Sequence, residues 1–199
     1  MPPWVLIIFV VIGVLVVLKI LFALSLLSVF PVTGGAMFHP SARVRVKTFL
    51  DHVPMKTGDL LIDIGCGDGR VLKEANRRYG VKAVGFEVNP LAYILARFRT
   101  MGMKGVEVKW MDFWKVNVRD ADVVFCYLFP DVMGRLTEKL EGELRPGTRV
   151  ISCNFPLPGW KQGNVVFPQS SRHGDPIYLY RFSGDNRSFA VEEKNRGDE

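Results

Sequence analysis

The hydrophobic pattern of this chain changes period along its length, and each change marks a different kind of element. Residues 4–30 are apolar almost without a break, and Lys19 is the one charge among them. At about 1.5 Å per residue such a run makes a helix of roughly 40 Å, against a hydrocarbon core of about 30 Å. Lys19 falls about 22 Å along the axis from Trp4, where a lysine can snorkel its ammonium to the nearer headgroups. A cleaved signal peptide wants basic residues before the apolar run, and a buried core helix of a soluble domain wants a polar face. Neither is present, so the segment reads as a retained single-pass membrane anchor.

Pro31, Gly34 and Gly35 predict a turn-rich linker over residues 31–40. Ser41 is placed to cap a short helix reaching about Val53, with Val46, Phe49 and Leu50 on one face. From there short apolar runs alternate with helical periodicity. The runs at 59–64, 82–88, 106–111, 121–128 and 148–155 predict strands. Between them, Val71, Leu72, Ala75 and Tyr79 mark a helix closed by Gly80. Asn89-Pro90 opens another, with Leu91, Ile94, Leu95 and Phe98 as its buried stripe. Asp131 opens a third, turning Val132, Met133, Leu136 and Leu140 inward.

Strands alternating with helices imply right-handed crossovers, hence a Rossmann-like, doubly wound α/β fold with a mostly parallel sheet. Residues 164–167 and 177–182 read as two strands with no helix between them, an antiparallel C-terminal edge. The expected domain is 41–182, followed by a polar tail at 183–199.

Charge adds a partner and an orientation. The net charge of +6 and pI near 9.3 suit an acidic surface. The basic residues are scattered, which fits a solvated face near an anionic leaflet and argues against a nucleic-acid partner. Arg43, Arg45 and Lys47 follow the apolar run while Met1, Pro2 and Pro3 carry no charge, so the positive-inside rule predicts a cytoplasmic domain. Cys66, Cys126 and Cys153 sit in apolar runs with no CxxC pair, as reduced core thiols do. His39, His52 and His173 have no ligand spacing, and no metal is expected.

The segment richest in chemistry runs from Leu61 to Arg70, a strand that meets Gly65, Gly67 and Gly69 and then a helix. Alternate glycines allow positive φ and let backbone approach a ligand closely, at the strand end where open parallel sheets bind ligands. A dinucleotide fingerprint needs G-x-G-x-x-G, and here the third glycine comes one position early. Asp63 and Asp68 would repel a phosphate, so a cationic, phosphate-free nucleoside fits better: S-adenosylmethionine. Glu87 ends the second strand 22 residues after Gly65, where a carboxylate can accept from ribose hydroxyls. Asp112 ends the third strand, in reach of an adenine amino group or as a turn cap, and Phe113 or Trp114 can stack on a ring.

These residues resemble the class I, seven-stranded S-adenosylmethionine-dependent methyltransferases over about residues 40–182. More narrowly, the chain is similar to the lysine N-methyltransferases of the ATP synthase c subunit and the adenine nucleotide translocase. The similarity is carried by Phe38-His-Pro40-Ser41, Asp63-Ile-Gly-Cys-Gly-Asp-Gly-Arg70, Val84-Gly-Phe-Glu87-Val-Asn-Pro90, Asp112-Phe-Trp-Lys115 and the run from Arg149 to Trp160. The family carries aromatic-Val-Pro where this chain has Phe38-His39-Pro40, and no Arg-rich amphipathic presequence is visible. The resemblance implies a cofactor set of Asp63, Gly65, Cys66, Gly67, Gly69, Glu87, Asn89, Asp112 and Phe113.

A lysine acceptor must react as the neutral amine, which at pH 7 costs ~4.6 kcal/mol from an unperturbed pKa of ~10.4. A poorly hydrated aromatic channel reduces that cost by disfavouring the ammonium. Tyr127, Phe129 and Pro130 follow the fourth strand and are the candidate acceptor channel, against the alternative of core and helix lead-in. The Asn/Asp-Pro-Pro-Tyr/Phe signature of amide and adenine methylation is absent there. Phe155 to Trp160 reads either as a rigid lip over the channel or as a loop packed for stability. The expected function is methylation of a lysine on a membrane-associated protein. A lipid or small apolar acceptor shares every cofactor residue, and a tethered scaffold with a vestigial site is the non-enzymatic alternative.

Overall fold

Apolar five-residue runs favour fully buried strands, and Leu60–Ile64 (β1) takes an interior place in a seven-stranded sheet. The computed structural model describes residues 2–33, 43–161, 163–168 and 175–184, with side chains of the first helix as far as Leu24. The other strands are Lys82–Glu87 (β2), Val106–Trp110 (β3), Val123–Cys126 (β4), Arg149–Cys153 (β5), Asn164–Val166 (β6) and Ile177–Arg181 (β7). Their order is β3-β2-β1-β4-β5-β7-β6, with β7 antiparallel to both neighbours and the first five mutually parallel. The order reverses between β1 and β4, so the crevice beyond their carboxyl ends is the ligand-binding switch point of such sheets.

Alternation along the strands divides the core in two. Leu61, Ala83, Phe125 and Ile151 pack with Phe49 and Leu50 of Arg43–His52 (α2) and with Leu72 and Ala75 of Arg70–Tyr79 (α3). Ile62, Ile64, Val124 and Val150 meet Met133, Leu136 and Leu140 of Pro130–Glu143 (α5) on the other face. The first helical residue of α5 is Pro130 rather than Asp131, because proline's fixed φ and missing N–H suit that position. All three cysteines are free and buried.

Pro90–Arg99 (α4) departs from the expected stripe. Ala92 and Ala96 are buried, whereas Ile94, Leu95 and Phe98 are 59%, 52% and 75% exposed. Size decides this: a β-carbon built on Gly69 would stand 3.1 Å from the β-carbon of Ala96, a gap no larger side chain fits.

The N-terminal helix, Pro3–Thr33 (α1), continues through Pro31 into the predicted linker. A proline this close to the end removes one N–H donation and keeps a helical φ, so it does not stop the helix. Pro3–Leu24 has a mean hydropathy of 3.3 and none of it is buried in the domain. Phe38 to Ser41 and the tail beyond residue 184 lie outside the described residues.

Candidate active site

The glycine loop is built by backbone geometry. Gly65, Gly67 and Gly69 hold φ of 73°, 55° and 74°, values that only glycine adopts at little cost. The Cys66 N–H donates to Phe86 O at 2.9 Å and the Gly69 N–H to Cys66 O at 2.9 Å, folding the loop over the end of β2. The Cys66 side chain rests where a β-carbon on Gly85 would lie, 2.6 Å from its own β-carbon. Gly85 falls within the segment from Val84 to Pro90 that carries the family resemblance, but no local signal in the sequence marks it. Burial raises the Cys66 thiol pKa, with Asp63 adding to it, so the thiol is a packing group and not a nucleophile.

Glu87 is the clamp. It is 8% exposed, and its carboxylate accepts from Val88 N at 2.9 Å and Asn89 N at 2.8 Å on Oε1, and from Gly67 N at 2.8 Å on Oε2. A carboxylate has about four acceptor positions, so one on Oε2 remains for a ribose hydroxyl without breaking the loop. Burial raises the Glu87 pKa against the opposing pull of those three amides. Asp63 is buried, and no hydrogen bond to its carboxylate is found among the described residues. Burial first, then Glu87 and Asp68, push its pKa well above the usual carboxylate range.

An acceptor without a donor beside a second carboxylate suits a ligand that brings its own positive charge. S-adenosylmethionine, with an ammonium and a sulfonium, fits this donor set, and a pyrophosphate does not. Asp68 contributes less to that selectivity than expected. Burial works to raise its pKa, but Arg70, at 2.6 Å, and Arg99 outweigh it and hold the carboxylate ionised.

Two other cofactor candidates double as caps. Asn89 Oδ1 accepts from Leu91 N and Ala92 N at 3.0 and 3.1 Å, starting α4. Asp112 Oδ1 accepts from Trp114 N at 3.1 Å, starting the single 3-10 turn Phe113–Lys115. Phe113 is half-buried against Trp114 at 4.3 Å, and Arg135 lies 4.1 Å over the Trp114 ring. Trp114 is thus engaged by the guanidinium, leaving Phe113 as the ring candidate.

The candidate acceptor residues lie next to the loop by register. Ile64 pairs with Cys126 and Cys126 with Ser152, so Gly65, Tyr127 and Asn154 emerge together at the ends of β1, β4 and β5. A β-carbon on Gly65 would stand 3.6 Å from Leu128 Cδ2, which makes the segment after β4 a wall of the loop. Phe129 is 40% exposed and caps α5, and Pro130 is its exposed first residue.

Tyr127 has partners that the sequence did not reveal. Arg45, counted among the basic flank of the anchor, is buried with its guanidinium 4.6 Å over the Tyr127 ring and paired with Asp175 at 2.5 Å. Asn154 Nδ2 donates to Tyr127 Oη at 3.4 Å, and Asn154 holds φ of 70°, the one left-handed non-glycine residue among those described. Its Oδ1 is buried and has no partner among the described residues. Its left-handed backbone is seen only in the structure, and an asparagine directly after an apolar run was the one local trace of it in the sequence.

The loop from Phe155 to Trp160 is anchored at two positions, Leu157 and Trp160, while Pro156, Pro158 and Gly159 are exposed. Leu157 and Trp160 are 1% and 6% exposed, and Trp160 stacks on Phe182 at 5.7 Å with Nε1 donating to Glu141 at 2.9 Å.

Comparison with known proteins agrees with this geometry. Residues 63–164 match the family described as ANTKMT methyltransferase domain. A protein-lysine N-methyltransferase of Saccharolobus islandicus (strain REY15A) is 34% identical over 145 residues, 71% of this chain and 90% of that protein. A lysine N-methyltransferase of the ATP synthase c subunit from Xenopus laevis is 35% identical over 130 residues, 63% of this chain and 56% of that enzyme, so this chain spans just over half its length. Among solved structures, an RNA methyltransferase from Salinibacter ruber in complex with S-adenosyl-L-homocysteine superposes with a TM-score of 0.67 at 29% identity. That alignment covers 81% of this chain and all of the other. A switch-point crevice, a glycine loop clamped by a buried glutamate and a matching family domain lead to one conclusion: the chain belongs to the ANTKMT methyltransferase-domain family and is an S-adenosylmethionine-dependent methyltransferase.

Proposed function

We propose that the protein methylates a lysine side chain of a membrane-associated protein, with α1 as its anchor and the domain on the cytoplasmic side. The observation that carries this is the buried Asn154 Oδ1, without a partner among the described residues, beside Tyr127, whose strand neighbours that of the glycine loop. A neutral primary amine needs an acceptor for its N–H and a face free of water, and this corner offers both. Arg45 adds to it by covering one face of the Tyr127 ring, held in place by its ion pair with Asp175. S-adenosylmethionine, when bound, supplies an electrophilic methyl group on a sulfonium. Glu87 and the glycine loop fix its nucleoside, Asp63 meets its positive end, and Tyr127 with Asn154 orients the acceptor lone pair. Alignment at about 3–3.5 Å contributes most of the rate in such a displacement, and no general base is required once the amine is neutral.

The relatives named for lysine methylation support the acceptor class, and one of them is named for a lysine of the ATP synthase c subunit. Pro3–Leu24 supports the anchor: 22 residues span about 33 Å as a helix, enough for the hydrocarbon core. Of the three cations in the flank, Arg43 and Lys47 still face solvent and carry the positive-inside argument, while Arg45 is committed to the cleft.

The test is transfer of tritiated methyl from S-adenosylmethionine into membranes of cells lacking the protein, with purified full-length enzyme added back. Label in one protein band, recovered as methyl-lysine on hydrolysis, is the expected result. Label extracted into organic solvent, or label released by ribonuclease, would overturn the lysine reading in favour of a lipid or an RNA acceptor.

A further inference from the structure

Two features on the outer surface of the α2–α3–α4 layer are not used by methyl transfer. The first is a groove of about 550 Å³ between α2 and α3, lined by seven cationic side chains and one carboxylate, Glu74. Arg70 and Arg99 there are tied to Asp68, and Arg78 to Asp51. Arg43, Lys47, Lys73 and Arg77 have no ion-pair partner among the described residues. The second is the outward stripe of α4. Ile94, Leu95 and Phe98 share one helical face with Leu91, and Met101 continues it at 73% exposure. Trp110, at the neighbouring sheet edge, is 64% exposed.

This is the reverse of a soluble surface helix, which turns its large apolar residues inward. Alanines face the sheet and leucine, isoleucine and phenylalanine face out, beside a strongly basic groove. Contiguous exposed apolar surface of this kind marks a binding face. Bulky apolar and aromatic groups flanked by lysine and arginine are the composition of helices that lie in a bilayer interface.

The chain's own connectivity selects that occupant. α1 approaches the domain at α4. Residues 34–42 join Thr33 at the end of α1 to Arg43, which begins α2 and lines the groove. Ten peptide steps reach at most about 35 Å, so the groove cannot lie far from the headgroups at the end of α1.

We propose that this layer docks on the anionic leaflet beside α1, an inference that rests on the anchor reading above. Leu95, Phe98 and Met101 enter the headgroup boundary, while Arg43, Lys47, Lys73 and Arg77 hold lipid phosphates. The sheet then lies parallel to the bilayer with α5 facing away, and the catalytic cleft, at the strand ends, opens sideways along the headgroup plane. A lysine emerging at that level is presented to Tyr127 and Asn154 without leaving the interface.

The test uses the full chain in vesicles of phosphatidylcholine with or without phosphatidylglycerol, spin-labelled at Phe98→Cys or, separately, at Leu15→Cys. The native thiols are buried and Phe98 is exposed, so labelling leaves the fold intact. In anionic vesicles the position-98 label loses access to an aqueous relaxation agent by about fivefold or more, and it regains that access in neutral vesicles. Charge reversal at Lys73→Glu and Arg77→Glu restores access in anionic vesicles as well. A position-98 label equally wet in both lipids, with the position-15 label embedded, would overturn the docking and leave the anchor standing. A wet position-15 label with an embedded position-98 label would overturn the anchor and keep the docking. Protection of position 98 by transfer RNA in detergent, with no effect of anionic lipid, would assign the groove to nucleic acid and end the proposal.

Discussion

The two halves of the cleft are made in different ways. The cofactor half is a backbone object: three left-handed glycines, a loop tied to β2, and one carboxylate accepting three amides, all within residues 63–89. The proposed acceptor half is a side-chain object, assembled from Arg45, Tyr127, Asn154 and Asp175, which are scattered over most of the domain. A backbone-built site tolerates few substitutions but is insulated from distant change. A side-chain-built site can be retuned residue by residue, which suits a family whose members share one cofactor.

That contrast can be broken most forcefully at Glu87. Glu87→Ala leaves three amides without an acceptor, two of them buried, and affinity for S-adenosylmethionine should fall ~100-fold or more. Calorimetric titration checks it, and an unchanged Kd would dissolve the idea of a clamped loop. The next largest effect is expected on the other side. Asn154→Ala should lower kcat ~10- to 100-fold while leaving cofactor affinity as it was. Steady-state kinetics beside the same titration separates the two, and a parallel loss of cofactor binding would mean that the halves are not independent.

The smallest effect is with pH. Asp63 holds its proton more tightly in the folded protein than in the unfolded chain. Between the usual carboxylate range and that raised value the folded state binds more protons, so ligand-free stability falls as pH rises through the window. S-adenosylmethionine favours the ionised carboxylate, and its affinity should rise a few-fold over the same interval. Thermal melts with and without cofactor across mildly acid to neutral pH read both slopes. Equal slopes, or an Asp63→Asn variant that keeps the difference, would remove Asp63 from the ligand's charge partners.

The same contrast explains what could be read from the sequence. Strand positions and the glycine loop were legible because period and glycine spacing are local signals, and Glu87 followed from its distance to Gly65. α4 misled for a physical reason. Leu91, Ile94, Leu95 and Phe98 and the pair Ala92 and Ala96 both keep helical spacing, and hydropathy favours the former. The close approach of Gly69 favours the latter, and that approach belongs to tertiary structure. Tyr127 could be reached as the end of an apolar strand. Arg45 could not, because nothing within its own helix says that its charge is buried 82 positions away against that ring.

Gly85 has a bearing on how this chain can change. The hollow it leaves in β2 is filled by Cys66 and approached by Leu72. Three positions on a strand, a loop and a helix therefore share one small volume, and none can enlarge alone. Substitutions there should be strongly non-additive: a side chain at position 85 becomes tolerable only alongside a reduction at position 66 and a shift or reduction at position 72. Inheritance at these sites is thus of the set, and a screen that varies one position at a time would record each as immutable.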